Sequence, residues 1–273
     1  MGIYHYTDLQ GLKGIIENNS MWATNIHFMN DKNEYIHGLN CFRNTIEHLG
    51  DKVLDARLKY LFQQALVKHV DIHQHPDNFK SKHVYSISFC RECDQLSQWR
   101  GYGNSQGVCL EFDEQSLING IDSEGLSFLH NDVIYTSETS TVDVNEKIQD
   151  LFKNIKSSST DIDDSFMTFI RVNSLIESNI PFFKNLGFSE EKEFRFVFSP
   201  LIKLPKVNFR VGAYGLIPYI EMKMLREEKL PVKRIIIGPS KDRDLLKTGV
   251  YIFLENNNYS NIPIEFSSVP YRS

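Results

Sequence analysis

No run of about 18 apolar residues occurs in the chain, so a membrane-spanning helix is not expected. The start, Met1-Gly2-Ile3-Tyr4-His5-Tyr6, lacks a basic stretch followed by an apolar core, which argues against a signal peptide. Cysteine is scarce: Cys41, Cys90, Cys93 and Cys109 are scattered through 273 residues. That pattern reads as reduced thiols in a cytoplasm rather than a disulfide framework. An excess of positive charge is also missing. Lys and Arg number 30 against 35 Asp and Glu, a net −5. The strongly basic class that wraps duplex nucleic acid non-specifically is thereby excluded. Phosphate-binding signatures are absent too: no G-x-x-x-x-G-K-S/T and no G-x-G-x-x-G after a strand.

Metal signatures stop short. Cys90-x-x-Cys93 is half of a zinc site, and Cys41 and Cys109 are too far apart to form a second pair. His69, His73, His75 and His83 form a local group without the Glu that H-E-x-x-H requires. No metal is expected.

What is present is an ordinary globular composition, 41% hydrophobic and 24% charged, in a chain long enough to bury a core without staples. Residues 3–7 read as a strand. Thr7 or Asp8 can cap a helix carrying Leu9, Leu12, Ile15 and Ile16 at helical spacing. Residues 21–24 read as a second strand. Asn30 or Asp31 can cap a helix with Glu34 in its first turn, where a negative charge suits the dipole. A further helix is expected over 51–70, a polar loop over 71–82, a strand over 84–89, a helical turn over 96–102 and a strand over 107–112. Strands are expected within 126–135 and helices over 138–156 and 163–187. The last third reads as strands at 194–198, 206–211, 215–222, 234–237 and 263–267, with a helix over 242–255. With no repeat and no boundary, the simplest architecture is a single α+β domain over 1–273 with a helical insertion at about 138–187.

Polar and aromatic residues on these elements are the candidates for chemistry. His5 and Thr7 share one face of the first strand, and Ser86 and Ser88 share a face of a later one. Trp99 and Tyr102 lie three apart on a helical turn beside Gly101, Gly103 and Gly107, which would let a ligand approach the backbone. If a strand begins at Glu191, then Glu191, Glu193 and Arg195 line one face while Phe194, Phe196 and Phe198 pack on the other. Each has a bland alternative: a satisfied core histidine, an aromatic pair in the core, a solvated salt-bridged face.

Taken in order, Tyr4-His5-Tyr6-Thr7, Phe28-x-Asn30-Asp31-x-x-Glu34, Trp99-x-x-Tyr102 with Gly107-Val108 and Phe112, Glu191-x-Glu193-x-Arg195, Ile236-Ile237-Gly238-Pro239 and Ser268-x-Pro270-Tyr271-Arg272 resemble a bacterial family known as domain of unknown function 2971. The resemblance covers nearly the whole chain and implies no activity. A weaker resemblance does: His-x-Thr on the first strand, a central Tyr and a late-strand Glu are similar to the His-Tyr-Glu branch of the ADP-ribosyltransferases. It implies a split, twisted, mainly antiparallel sheet with flanking helices that holds NAD. His5 would bond the adenosine ribose, Tyr102 would stack on nicotinamide and Glu193 would be the catalytic carboxylate. Ser86-x-Ser88 and Glu191-x-Glu193 also echo motifs of the Arg-Ser-Glu branch, although no Arg stands on the first strand.

That chemistry is coherent. Breaking the nicotinamide–ribose bond builds positive charge on the ribose, which a carboxylate stabilises. An aromatic face holds the cationic ring, and Arg100 or Arg195 would secure the pyrophosphate. Glu193, Glu191, Tyr102 and His5 are the catalytic candidates. His5, Thr7, Ser88, Trp99, Arg100, Tyr102 and Arg195 are those for binding the cofactor. The expectation is an NAD-using ADP-ribosyltransferase or NAD glycohydrolase, a toxin or phage-defence effector acting on a protein or nucleic-acid acceptor. One rival is a non-enzymatic module binding a nucleotide or a partner. Another is a metal-dependent hydrolase or nuclease using Asp31, Glu34 and the histidines.

Overall fold

The computed structural model describes residues 1–29, 33–53, 56–74, 84–103, 106–137, 149, 153, 165–201, 205–212 and 215–270. The chain opens with β1 (Gly2–Asp8), α1 (Leu9–Asn18) and β2 (Ser20–Asn25). Asp8 is the cap of α1, accepting the Gly11 N–H at 2.8 Å, and Leu12, Ile15 and Ile16 bury the predicted stripe. Two long helices follow, α2 (Glu34–Val53) and α3 (Ala56–Gln74), then β3 (Tyr85–Cys90), α4 (Leu96–Tyr102), β4 (Gly107–Asp113) and α5 (Glu114–Gly120). The middle holds β5 (Leu126–Asp132), β6 (Ile134–Thr136), α6 (Ser165–Asn179), β7 (Phe183–Asn185) and β8 (Glu193–Pro200). The end holds β9 (Asn208–Gly212), β10 (Gly215–Lys223), β11 (Val232–Ile237), α7 (Arg243–Asn256) and β12 (Ile264–Phe266).

Ten strands form one sheet, running β12-β11-β4-β1-β3-β2-β10-β9, with β8 beside β3 and β5 beside β8. All its pairings are antiparallel except β11 with β12. The mixed α and β content and the open, mostly antiparallel sheet agree with the expected class. β8 follows β3 along all six of its residues, from Tyr85 to Cys90. β1 and β2 therefore share the other edge: β1 meets it at Cys90, and β2 at Ser86 and Tyr85. Between these contacts the two strands part, and α1 connects them. This split is the feature that positions the site.

Helices cover both faces. Phe194, Phe196 and Phe198 of β8 enter one apolar core with Ile3, Phe89, Leu110 and residues of α1 and α7. Val197 of the same strand enters a second core with Phe42, Phe62 and Ile176 of α2, α3 and α6. Alternation along one strand thus feeds two layers.

The expected helix over 138–156 lies outside the described residues, apart from 149 and 153, and so do the proposed caps Asn30 and Asp31. The helix expected over 163–187 ends at Asn179. Pro181 cannot donate an interior helical bond, and the chain passes through a 3-10 turn (Ile180–Phe182) into β7, which pairs in parallel with β6.

Candidate functional site

Residues directly opposite in an antiparallel ladder share a face. Ser86, Ser88 and Cys90 of β3 stand opposite Val197, Arg195 and Glu193 of β8, and Ser86 also stands opposite Thr24 of β2. Ser20, Trp22, Thr24, Ser86, Ser88, Cys90, Glu193 and Arg195 therefore lie on one side of the sheet. Two kinds of polar group meet there.

The first kind has no partner. The Ser20, Ser86 and Ser88 hydroxyls and the Trp22 indole N–H are buried without a hydrogen bond among the described residues. Trp22 stacks on Tyr219 with ring centroids 4.5 Å apart, and Arg210 donates to the Thr24 hydroxyl at 3.4 Å. A buried polar group left unpaired costs about 1–3 kcal/mol. Four on one face of two adjacent strands point to something that pairs with them.

The second kind is fully engaged. Arg195 is 0% exposed. Its guanidinium donates to both Glu34 oxygens, to Glu193 and to the Pro181 carbonyl. Lys184 donates to Glu193 at 2.5 Å and to Glu191 at 2.6 Å. The Glu193 N–H donates to the Tyr135 hydroxyl at 2.7 Å. Three carboxylates thus face two cations. Burial is the largest single influence on Glu193 and disfavours its charge, but Arg195, Glu191 and Lys184 together outweigh it, and the carboxyl is held below its usual range. The surplus falls on Glu191. Burial, followed by its hydrogen bond to Glu193, pushes Glu191 up to about 7 against the pull of Lys184. Glu191 is the outer member, with a side chain 20% exposed against 7% for Glu193.

These positions correct several expectations. Glu193, at 6% exposure and with Lys184 and Arg195 on its two oxygens, presents no carboxylate to a ligand. Arg195 is buried inside the protein, with its guanidinium taken up by Glu34, Glu193 and the Pro181 carbonyl. Glu191 lies in a 3-10 turn (Leu186–Glu191) before β8 rather than on the strand, yet its carboxyl still reaches Glu193. Trp99 is 3% exposed, packed edge-on to Tyr6 at 4.9 Å and donating to Asp94 at 2.9 Å. The neighbouring glycines admit this indole rather than a ligand: a Cβ on Gly238 would lie 2.8 Å from it, and one on Gly107 3.2 Å. Tyr102, at 37% exposure, and Arg100 stay at the surface of α4.

His5 faces the other side. It stands opposite Leu110, and its ring lies 5.9 Å from Phe89. Its Nδ1 pairs with the Ser88 carbonyl at 3.0 Å, bridging the split where no strand serves that group. Burial lowers the pKa of this histidine, partly offset by that bond. Thr7 shares its face, against Gly11, where a Cβ would collide with the Thr7 hydroxyl at 1.9 Å. His5 and Glu193 thus lie on opposite sides of the sheet, and the structure does not gather His5, Tyr102 and Glu193 into one pocket.

Sequence reasoning missed Lys184, Tyr135 and Trp22, and read Glu34 as a helix-dipole partner, a family-motif residue and a candidate of the metal-dependent rival, not as the partner of Arg195. A lysine directly after Phe182-Phe183 was the available signal for Lys184, because a charge inside an apolar run implies a buried partner. Asp94 was missed as well. It accepts from Trp99, Ser267 and Ser268, pinning the segment after β12 beside α4. Among the described residues, no group of three or more His, Cys, Asp or Glu is placed to hold a metal ion. His69 is buried against the Tyr35 hydroxyl at 2.9 Å, while Asp31, His75 and His83 lie outside the described residues. No described helix is long and apolar enough to cross a membrane.

Residues 98–196 match the model of a family described as protein of unknown function (DUF2971), which supports the first resemblance drawn from the sequence. No curated protein and no solved structure matches the chain.

Proposed function

We propose that the face carrying Trp22, Ser86 and Ser88 is the binding site of a hydroxyl-bearing nucleotide, with NAD as its first candidate, in a cytoplasmic protein. The observation behind this reading is the set of four buried polar groups without partners. Serine hydroxyls both donate and accept, and an indole N–H donates. Ribose hydroxyls and phosphate oxygens supply the matching groups. The Trp22–Tyr219 stack would form one wall. Thermal-shift and calorimetric titration with NAD, ADP-ribose and AMP tests it. A saturable rise in melting temperature, lost in a Ser86→Ala/Ser88→Ala variant, is expected. Binding unchanged in that variant would overturn it.

A second reading, cleavage of NAD by an ADP-ribosyltransferase or glycohydrolase serving as a toxin or phage-defence effector, is favoured by the place of the Glu191 carboxyl, the outer member of the network against Lys184 and Glu193, where burial and Glu193 push it up to about 7. A group titrating near neutrality can take up and return a proton at the working pH. In this reading Glu191 replaces Glu193 as the chemical residue, and Glu193 with Lys184 sets its proton affinity. Nicotinamide release would fall by about 10²-fold or more in Glu191→Gln, the range for losing one acid–base group. Wild-type protein that binds NAD and never releases nicotinamide would leave the binding reading alone.

A further inference from the structure

A groove of about 610 Å³ opens between α1 and α7, away from the Ser86 face. Its walls are Leu9 and Leu12 of α1 and Leu245, Leu246, Val250 and Phe253 of α7. Its polar end is the turn from β11 into α7, with Ser240, Lys241 and Asp242, together with Gln106 before β4. β1 and β11 both run antiparallel to β4, so α1 and α7 leave the same end of the sheet.

Three observations give the groove a ligand chemistry. First, the Ser240 hydroxyl lines it, buried and without a hydrogen bond among the described residues. Second, the charges are asymmetric. Lys13 pairs with Glu17, and Asp242 is turned to the helix end, where it accepts the Leu245 N–H at 3.0 Å. Lys241 is left as a cation at the polar end with no ion-pair partner among the described residues. Third, Gly249 sits inside α7 on the groove wall, and a Cβ there would meet nothing within 4 Å among the described residues. Glycine weakens a helix interior. No packing contact among the described residues asks for it, and its effect is to keep the wall low. The volume falls within the range of about 300–1,000 Å³ typical of small-molecule pockets, which are mostly apolar with a few convergent polar groups.

We propose that this groove binds a small amphiphilic carboxylate, an acyl or aryl acid with its head on Ser240 and Lys241 and its body along α7. The site is independent of the nucleotide reading. Decanoate and the uncharged decanol are the probes, titrated calorimetrically into the full chain. Decanoate is expected to bind one per chain, and decanol about tenfold more weakly or less, because a charge-assisted hydrogen bond is lost. Ser240→Ala and Lys241→Gln should each weaken decanoate by about tenfold. Gly249→Leu should abolish binding while melting at the same temperature as wild type or higher, with NAD titration unchanged. If that variant fails to fold, Gly249→Ala should still weaken decanoate with no loss of melting temperature. Equal affinity for decanol, or decanoate binding untouched by Gly249 substitution, would overturn the proposal. So would a wild-type dimer that Gly249→Leu turns into a monomer, since the occupant would then be a second copy of the chain.

Discussion

On one side of β8, Phe194, Phe196 and Phe198 disappear into an apolar core; on the other, Glu193 and Arg195 lie just as deep and carry opposite charges. The apolar side is held by many small, interchangeable contacts. The charged side is held by a few groups that satisfy one another, and each is costly once its partner is gone. Beyond that network, on β2 and β3, lies a third condition: polar groups as buried as Arg195 and paired with nothing described. Burial alone therefore does not mark a site. The difference lies in whether the buried polar groups close their own hydrogen bonds.

The largest effect should come from the closed network. Arg195→Met leaves Glu34 and Glu193 facing each other without their main cation, and should cost about 3–5 kcal/mol in urea unfolding. Phe196→Leu on the opposite side should cost less, about 1–2 kcal/mol, for the lost ring volume and edge contacts. Adding Glu34→Gln and Glu193→Gln to Arg195→Met should recover much of the loss. Equal costs for the two single variants would erase the contrast between the faces.

A pH series sharpens the same contrast. Glu191 has an ordinary value of 4.5, raised to about 7 in the fold. Between these values the unfolded chain has released this proton and the folded chain still holds it, so the Glu191 contribution falls as pH rises from about 4.5 to about 7. Glu193 acts oppositely and lower down. Its depressed value stabilises the fold above about 4.5, and that contribution is lost as pH falls. Glu191→Gln should flatten the upper limb of the stability profile and leave the acid limb. An unchanged upper limb would show that Glu191 titrates normally.

His5→Ala should cost about 1–3 kcal/mol by leaving the Ser88 carbonyl unpaired at the split. His5→Gln, which can still donate there, should recover part of it. Chemical denaturation of the two variants decides the matter, and equal losses would mean that the ring acts only through packing.

Local signals carried much of the fold. The cap at Asp8, the stripe of Leu12, Ile15 and Ile16, and the alternation of Phe194, Phe196 and Phe198 each landed where expected, because each depends on near neighbours in the chain. The site was less legible because it depends on pairing between distant strands. His5-x-Thr7 and Ser86-x-Ser88 were rightly read as sharing faces, but which faces meet is set by ladders that local periodicity does not encode. Trp99 and its glycines read equally well as an open platform or a packed indole, and only the approach of Gly238, 139 positions on, decides for the core. The Glu34–Arg195 pair spans 161 residues, beyond any motif spacing.

The smallest expected cost belongs to the central claim. A calorimetric titration of NAD, run beside the unfolding curve of unliganded Ser86→Ala/Ser88→Ala protein, tests it most directly. If the two hydroxyls are held unpaired for a ligand, the double variant should be as stable as wild type, or more so by up to about 1 kcal/mol, and should lose NAD binding by about tenfold or more. A variant that loses several kcal/mol while binding NAD as well as wild type would contradict the account, because the hydroxyls would then serve the fold and not a ligand.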